Sequence, residues 1–219
     1  MDVLVTAGGR GSRMRDVPGE KPLVPLLGRP MIDRVLDALS GARGTGRLAV
    51  SISENTPLTA QHLRSRGIEV VSTSGCDYVA DLRQALGHLG SSEVLICPAD
   101  LPLITSEGVE AVLAHYPVAG VSSLSVAVPA DLVRSLGAAP SYVLQENNRD
   151  VVLCGVSVVD REQMLSGDTL SQGFMVIEDE QFALNVNTRE ELAKAEELLR
   201  RRGADENAIS PSRESAREA

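Results

Sequence analysis

Apolar residues fall along this chain in two rhythms. Short blocks at Val3 to Val5, Arg47 to Ser53, Ile68 to Ser72 and Glu93 to Cys97 predict strands. Between them, Ile32, Val35, Leu36 and Leu39, and later Val79, Leu82, Leu86 and Leu89, recur at helical spacing and predict amphipathic helices that cover a sheet. Pro22 to Leu27 reads as a short extended segment that Gly28-Arg29-Pro30 turns into the first helix. Thr56-Pro57 opens the middle helix, because threonine can cap free N–H groups and proline is tolerated in the first turn; that helix should end at Gly67. Strands alternating with helices predict an α/β fold of three layers around a mainly parallel central sheet, whose ligands gather at the carboxyl ends of the strands. Gly8, Thr73 and Asp100 all occupy such ends.

Beyond Ser106 the pattern is less regular. A helix is expected from Ser106 to His115, strand-like runs from Val121 to Val128 and from Val151 to Val159, and a polar stretch from Gln145 to Asp150; any acceptor specificity is expected in this half. Thr188-Arg189-Glu190-Glu191 is a capping box, Thr188 toward the N3 amide and Glu191 back toward the cap, before a helix with Leu192, Ala195 and Leu199 on its apolar face. From Gly203 the residues are small, polar and charged without periodicity. The expectation is one domain over residues 1–202 and a disordered tail over 203–219.

Composition narrows the function classes. With 219 residues, 43% of them hydrophobic, and a formal charge of -9, the chain can build one full core, and no broad nucleic-acid-binding face is expected. Cys76, Cys97 and Cys154 lie far apart without CxxC spacing, so neither a zinc site nor a disulfide framework is indicated, and a reducing cytoplasm is the expected setting. Met1-Asp2-Val3-Leu4 lacks a basic leader and no apolar run nears membrane-spanning length, so neither an export signal nor a membrane span is expected.

Candidate chemistry concentrates at the first strand end, in Ala7-Gly8-Gly9-Arg10-Gly11-Ser12-Arg13-Met14, followed by Glu20-Lys21-Pro22-Leu23. Glycines at 8, 9 and 11 let the backbone turn tightly and lie against a ligand, and successive N–H groups in such a turn make an anion cradle. Arg10, Arg13 and Lys21 bring cations to the same place, so a nucleoside triphosphate is the expected visitor. The P-loop spacing with Gly-Lys-Ser/Thr is absent, and the dinucleotide fingerprint lacks its third glycine, where Met14 stands. The stretch resembles instead the N-terminal loop of the sugar-phosphate and cofactor nucleotidyltransferases, Ala-Gly-Gly-x-Gly-Ser/Thr-Arg-Met and then Lys-Pro-Leu. The resemblance implies their Rossmann-like fold. It also implies that Ala7, Gly8, Gly9, Arg10, Gly11, Ser12 and Arg13 wrap the nucleotide while Arg13 and Lys21 bind its triphosphate.

Asp100, in Cys97-Pro98-Ala99-Asp100-Leu101-Pro102, reads either as a turn aspartate bonded to its own backbone or as a magnesium ligand facing the glycine turn. The resemblance implies the second, with Mg2+ as cofactor. Within Phe182-Ala183-Leu184-Asn185-Val186-Asn187-Thr188, alternation sends Asn185 and Asn187 to one side; Asn187 aligns with a family metal position but could equally cap the helix that follows. Thr73, Ser74 and Gly75 either lie beside the base or form an ordinary turn. Asp77 and Asp81 read as solvated or helix N-terminal charges, and His62, His88 and His115 show no ligand pattern.

Thr73-Ser74-Gly75 with Tyr78, Ala127-Val128-Pro129, Gly155 to Val159 and Met175 through Thr188 narrow the resemblance to the archaeal GTP:adenosylcobinamide-phosphate guanylyltransferases of the MobA-like superfamily. Arg10 stands where that family commonly places a lysine. Membership would imply GTP and adenosylcobinamide phosphate as partners, Arg13, Lys21 and Asp100 as catalytic residues, and leaves a homodimer open. Transfer to molybdopterin or another small acceptor is the neighbouring reading, and a noncatalytic nucleotide-binding domain is the reading from another class.

Overall fold

The structure, a computed structural model, describes residues 1–14 and 17–209, and the side chains within these as far as residue 204. The chain runs β1 (Asp2–Thr6), a 3-10 turn at Ser12–Met14 and another at Lys21–Leu23, a small ribbon of β2 (Pro25–Leu26) and β3 (Arg29–Pro30), then α1 (Met31–Gly41), β4 (Leu48–Ile52), α2 (Pro57–Ser65), β5 (Glu69–Ser72), α3 (Tyr78–Leu86) and β6 (Glu93–Pro98). It continues through α4 (Ser106–Ala119), β7 (Ser123–Pro129), α5 (Ala130–Ser135), β8 (Val143–Glu146), β9 (Arg149–Asp160), α6 (Arg161–Ser166), β10 (Gln172–Val176), α7 (Glu180–Ala183) and α8 (Arg189–Ile209).

One sheet carries the fold, in the order β10-β7-β9-β6-β1-β4-β5, with β8 paired to β9. β5, β4, β1 and β6 are mutually parallel. β9 runs antiparallel to β6, β7 and β8, while β10 is parallel to β7. The chain leaves β1 toward β4 and β5, then returns to β6 on the other side of β1. That reversal opens a crevice beyond the carboxyl ends of β1 and β6, where α/β sheets bind their ligands.

The strand period of two divides the core. Val3 and Val5 of β1, with Leu95 and Cys97 of β6, share a core with α1, α2, α4, α5, α7 and α8, whereas Leu4, Val94 and Ile96 pack under α3 and α6. Ile32, Val35, Leu36 and Leu39 are all buried, as their spacing predicts. Val79 is not: it is more than half exposed at the start of α3, while Leu82, Leu86 and Leu89 carry the buried stripe.

Three local expectations are corrected. Thr56 does not cap α2 with its side chain, which instead meets Ser53. The Pro22 to Leu27 segment begins as a 3-10 turn before its two-residue strand. Glu191 accepts from the N–H of Asn187 at 2.6 Å, one residue before the expected cap, although Thr188 Oγ1 accepts from Glu191 N at 3.2 Å as the capping box requires. The final helix continues through Ile209; the rest of the expected tail, residues 210–219, lies outside the described residues. Among the described residues, no helix is long and apolar enough to cross a membrane.

Candidate functional site

A cleft of about 380 Å³ lies at the carboxyl ends of β1, β4, β5 and β6. Its wall from the first strand is Thr6 to Gly9 and Gly11 to Met14; Lys21 and Pro22 form one side, Thr73, Gly75, Cys76 and the first turn of α3 another, and Asp100 and Asn187 close the end. Such a volume suits a small-molecule ligand.

The glycine turn is open where a ligand needs it. Ala7 N is bonded to Ser51 O at 2.9 Å, but among the described residues the backbone N–H groups of Gly8, Gly9, Arg10 and Gly11 have no protein partner. The turn is nonetheless anchored from behind: Ser53 Oγ and Asn55 Nδ2 donate to Gly8 O at 2.7 and 3.3 Å. A Cβ on Gly8 would stand 3.2 Å from Ser53 N, and Gly11 has φ +59, so a side chain would be crowded at the first position and strained at the second. Among the described residues, then, the N–H groups stay free in a backbone that is held.

Across the cleft, β6 ends in Pro98 and the chain turns through Ala99, whose N–H reaches Thr6 O at 3.1 Å and ties the two strand ends together. Asp100 follows. Its Oδ2 accepts from Lys21 Nζ at 2.5 Å and its Oδ1 from Asn185 Nδ2 at 2.8 Å, while its backbone carbonyl accepts from Val186 N at 2.8 Å. The same Lys21 ammonium donates to Asn187 Oδ1 at 2.8 Å. Asn185 is secured in turn by Cys154 O at 3.1 Å, and Asn187 Nδ2 donates to Asn185 O at 3.2 Å. Residues 184–187 form no sheet pairing, so alternation in a strand is not what aims the two asparagines; hydrogen bonds to Asp100, Cys154 and Lys21 do so. The ion pair of Lys21 and Asp100 is only partly exposed, 15% and 23% by side chain.

Both thiols behind this wall stay protonated. Burial pushes Cys154 up to about 12, and Cys97 rises for the same reason, with Cys154 and Asp100 adding to it. Neither is exposed.

The oxygens of Asp100 and Asn187 that hold the ammonium form a small, hard donor pair. Among the described residues no three His, Cys, Asp or Glu side chains cluster, so a divalent cation here would lean on one carboxylate, one amide oxygen, ligand phosphates and water, a set that suits magnesium.

Most residues singled out in the sequence meet at this cleft: Ala7, Gly8, Gly9, Gly11, Ser12, Arg13, Lys21, Thr73, Gly75, Asp100 and Asn187 line it. Arg10 and Ser74 do not. Arg10 lines a neighbouring hollow with Val17, Glu20 and Asn55, and Ser74 gives its N–H and hydroxyl to Asp81 Oδ1 at 2.9 and 2.7 Å. Asp81 also accepts from Gly75 N at 2.9 Å, so it holds the turn after β5 and is not a merely solvated charge; Asp77 caps α3 by accepting from Ala80 N at 2.7 Å. His62 pairs with Asp33 at 2.8 Å between α1 and α2, away from the cleft lining.

Sequence reasoning passed over Ser53, Asn55 and Glu20. Ser53 and Asn55 carried a usable signal, being polar residues at the carboxyl end of a strand parallel to β1.

Residues 3–181 match the model of the MobA-like NTP transferase domain. Over 213 residues the chain is 30% identical to the adenosylcobinamide-phosphate guanylyltransferase of Methanocaldococcus jannaschii, an alignment covering 93% of this chain and all of that protein. Among solved structures it resembles CMP:2-keto-3-deoxy-manno-octonic acid synthetase complexed with CTP, with a TM-score of 0.67 at 16% identity over 92% of this chain and 98% of the other. It also resembles the 4-diphosphocytidyl-2C-methyl-D-erythritol synthase of Anaerococcus prevotii, with a TM-score of 0.65 at 13% identity over 91% and 95%. At these identities the likeness to the two structures is one of fold.

Proposed function

This chain belongs to the MobA-like NTP transferase family, and on that footing we propose that it transfers GMP from GTP to adenosylcobinamide phosphate. One observation carries the reading to this site: a clamped glycine turn, whose backbone N–H groups have no partner among the described residues, shares a single cleft with a lysine held against Asp100 and Asn187. The choice of guanine and of acceptor rests on the relative from Methanocaldococcus jannaschii.

In this reading an oxygen of the acceptor phosphate attacks the α-phosphorus of GTP. The bond to the bridging oxygen breaks and pyrophosphate leaves with the electron pair, giving adenosylcobinamide-GDP. A phosphate monoester has a second pKa of about 6, so its nucleophilic oxygen is already largely ionised at neutral pH and the protein needs no base to generate it. The glycine turn binds the triphosphate through Gly8, Gly9 and Gly11, and Arg13 and Lys21 offset charge that develops as the leaving group departs. Asp100 and Asn187 would hold magnesium, which when bound supplies Lewis-acid charge to the phosphate oxygens. Asn185 keeps the Asp100 carboxylate aimed by occupying Oδ1 and leaving Oδ2 toward Lys21. The three free cysteines suit a reducing cytoplasm.

The test is pyrophosphate release by the purified chain with each of the four nucleoside triphosphates, paired with adenosylcobinamide phosphate, molybdopterin or a sugar phosphate, with and without chelator. Turnover of GTP with adenosylcobinamide phosphate, abolished by EDTA, is expected. Turnover with molybdopterin alone would move the chain to that neighbouring activity, and no turnover together with no nucleotide affinity would end the proposal.

A further inference from the structure

Glu20 stands immediately before Lys21, and its side chain leaves the cleft entirely. Its Oε1 accepts from Leu58 N at 2.7 Å, and its Oε2 accepts from Thr59 N at 2.7 Å and from Thr59 Oγ1 at 2.6 Å. The two N–H groups are orphan donors of the first turn of α2, which Thr56 leaves uncapped. A carboxylate accepting at a helix N-terminus is held by charge-assisted bonds and by the helix dipole. The backbone of Glu20 is fixed as well, its carbonyl accepting from Leu23 N at 2.9 Å to close the 3-10 turn that carries Lys21.

The segment that receives Glu20 is continuous with the one that anchors the glycine turn. Ser53 and Asn55 hold Gly8 O, and four residues beyond Asn55 lies Thr59, which holds Glu20. The two arms of the nucleotide cleft, the N–H cradle and the lysine, are thereby fastened to one rigid corner where β4 passes into α2.

We propose that Glu20 is a positioning residue: by capping α2 it sets where Lys21 stands relative to the glycine turn and Asp100, and so controls how the triphosphate is bound and stabilised. This rests on the nucleotide reading of the cleft given above. Glu20 lies outside the cleft lining and acts through Lys21.

A double-mutant cycle tests it, using Glu20→Ala, Lys21→Met and the pair in the full chain, with kcat and KM for GTP and the Kd of a fluorescent GTP analogue as readouts, and melting temperature measured alongside. Displacement of a catalytic group by an ångström costs up to about a hundredfold. Glu20→Ala should therefore lower kcat/KM for GTP by roughly tenfold to a hundredfold in the wild-type background while leaving KM for the acceptor unchanged. In the Lys21→Met background it should do little more, because the group it positions is gone. Glu20→Gln, which keeps one acceptor oxygen, should fall between wild type and Glu20→Ala. Multiplicative losses in the pair, or a lowered melting temperature with kcat/KM and Kd intact, would overturn the positioning role and leave Glu20 a structural cap. Lys21→Met with undiminished kcat/KM and Kd would instead overturn the reading of the cleft, and the proposal with it.

Discussion

Lys21 Nζ lies 2.5 Å from Asp100 Oδ2 although 79 positions separate the two residues, and the same ammonium reaches Asn187 Oδ1 at 2.8 Å. Asp100 is thus bound into the site rather than spent on its own turn. Replacing it with alanine removes the carboxylate that a divalent cation would use and frees Lys21 from its place. Turnover should fall about a hundredfold to a thousandfold, the scale of losing one electrostatic stabiliser of a developing charge. Pyrophosphate release at saturating magnesium measures it, and an unchanged kcat would remove Asp100 from the mechanism.

Alanine at Gly75 and at Gly9 should weaken nucleotide binding alike but differ in its effect on stability. Gly75 has φ +71, and a Cβ there would stand 2.7 Å from Ser53 Cβ and Oγ, the side chain that anchors Gly8. Gly75→Ala should lose about 1–3 kcal/mol of stability, read by denaturant unfolding, together with nucleotide affinity. Gly9 needs no positive φ and has nothing within 4 Å of its missing Cβ, although it lines the cleft. Gly9→Ala should stay within about 0.5 kcal/mol of wild type in stability yet bind GTP more weakly, because the methyl group enters the cradle. Equal affinity for the Gly9 variant would show that no ligand approaches that backbone.

The three thiols should separate by accessibility. Cys76 is exposed on the cleft wall, while Cys97 and Cys154 are buried and, by that burial, held as thiols, the latter with its pKa near 12. An aromatic disulfide reagent at mild alkaline pH should modify Cys76 alone in the native protein and all three after unfolding, and GTP with magnesium should slow the native reaction. Rapid native modification of three thiols would contradict the packing around β6 and β9.

At the opposite end of the sheet, Asp2 gives a pH signature. Burial pushes its carboxyl up, but the N–H groups of Gly90 and Ser91 and the Ser91 hydroxyl outweigh that, leaving the net pKa below its ordinary 3.8. Oδ2 accepts from Gly90 N at 2.9 Å and Ser91 N at 3.0 Å. A depressed native pKa means that the folded state prefers the charged form. The contribution is therefore present above pH 3.8 and is lost as pH falls through the lower native value. Asp2→Asn should cost about 1–2 kcal/mol near neutrality, and the gap to wild type should close in acid. A gap that widens on acidification would reverse the assignment.

Periodicity is a local property, and what depends on it was legible. The alternation of strands with Ile32-type helical stripes declared the three layers, and the apolar blocks located β1, β4, β5 and β6 to within a residue or so. The glycine turn was legible too, because three glycines in four positions after an apolar strand announce backbone that a side chain would crowd or strain, and Lys21 and Asp100 were marked by their places beside it and at a strand end. Val79 misled because a residue can keep the spacing of a buried stripe at a helix end that the sheet does not cover. The antiparallel β9 inside a mainly parallel sheet likewise left no local trace.

What the chain's order of residues determined by itself was which segments become strands, helices and a glycine turn, since each follows from neighbours a few positions away. Only the tertiary structure decided who partners whom. Asn185 and Lys21 converge on Asp100, Glu191 holds the backbone of Asn187, and Glu20 takes the cap that Thr56 was suited to fill. A hydrogen bond between distant residues depends on which strand ends the sheet brings side by side, and here the return of the chain to β6 beside β1 made that choice.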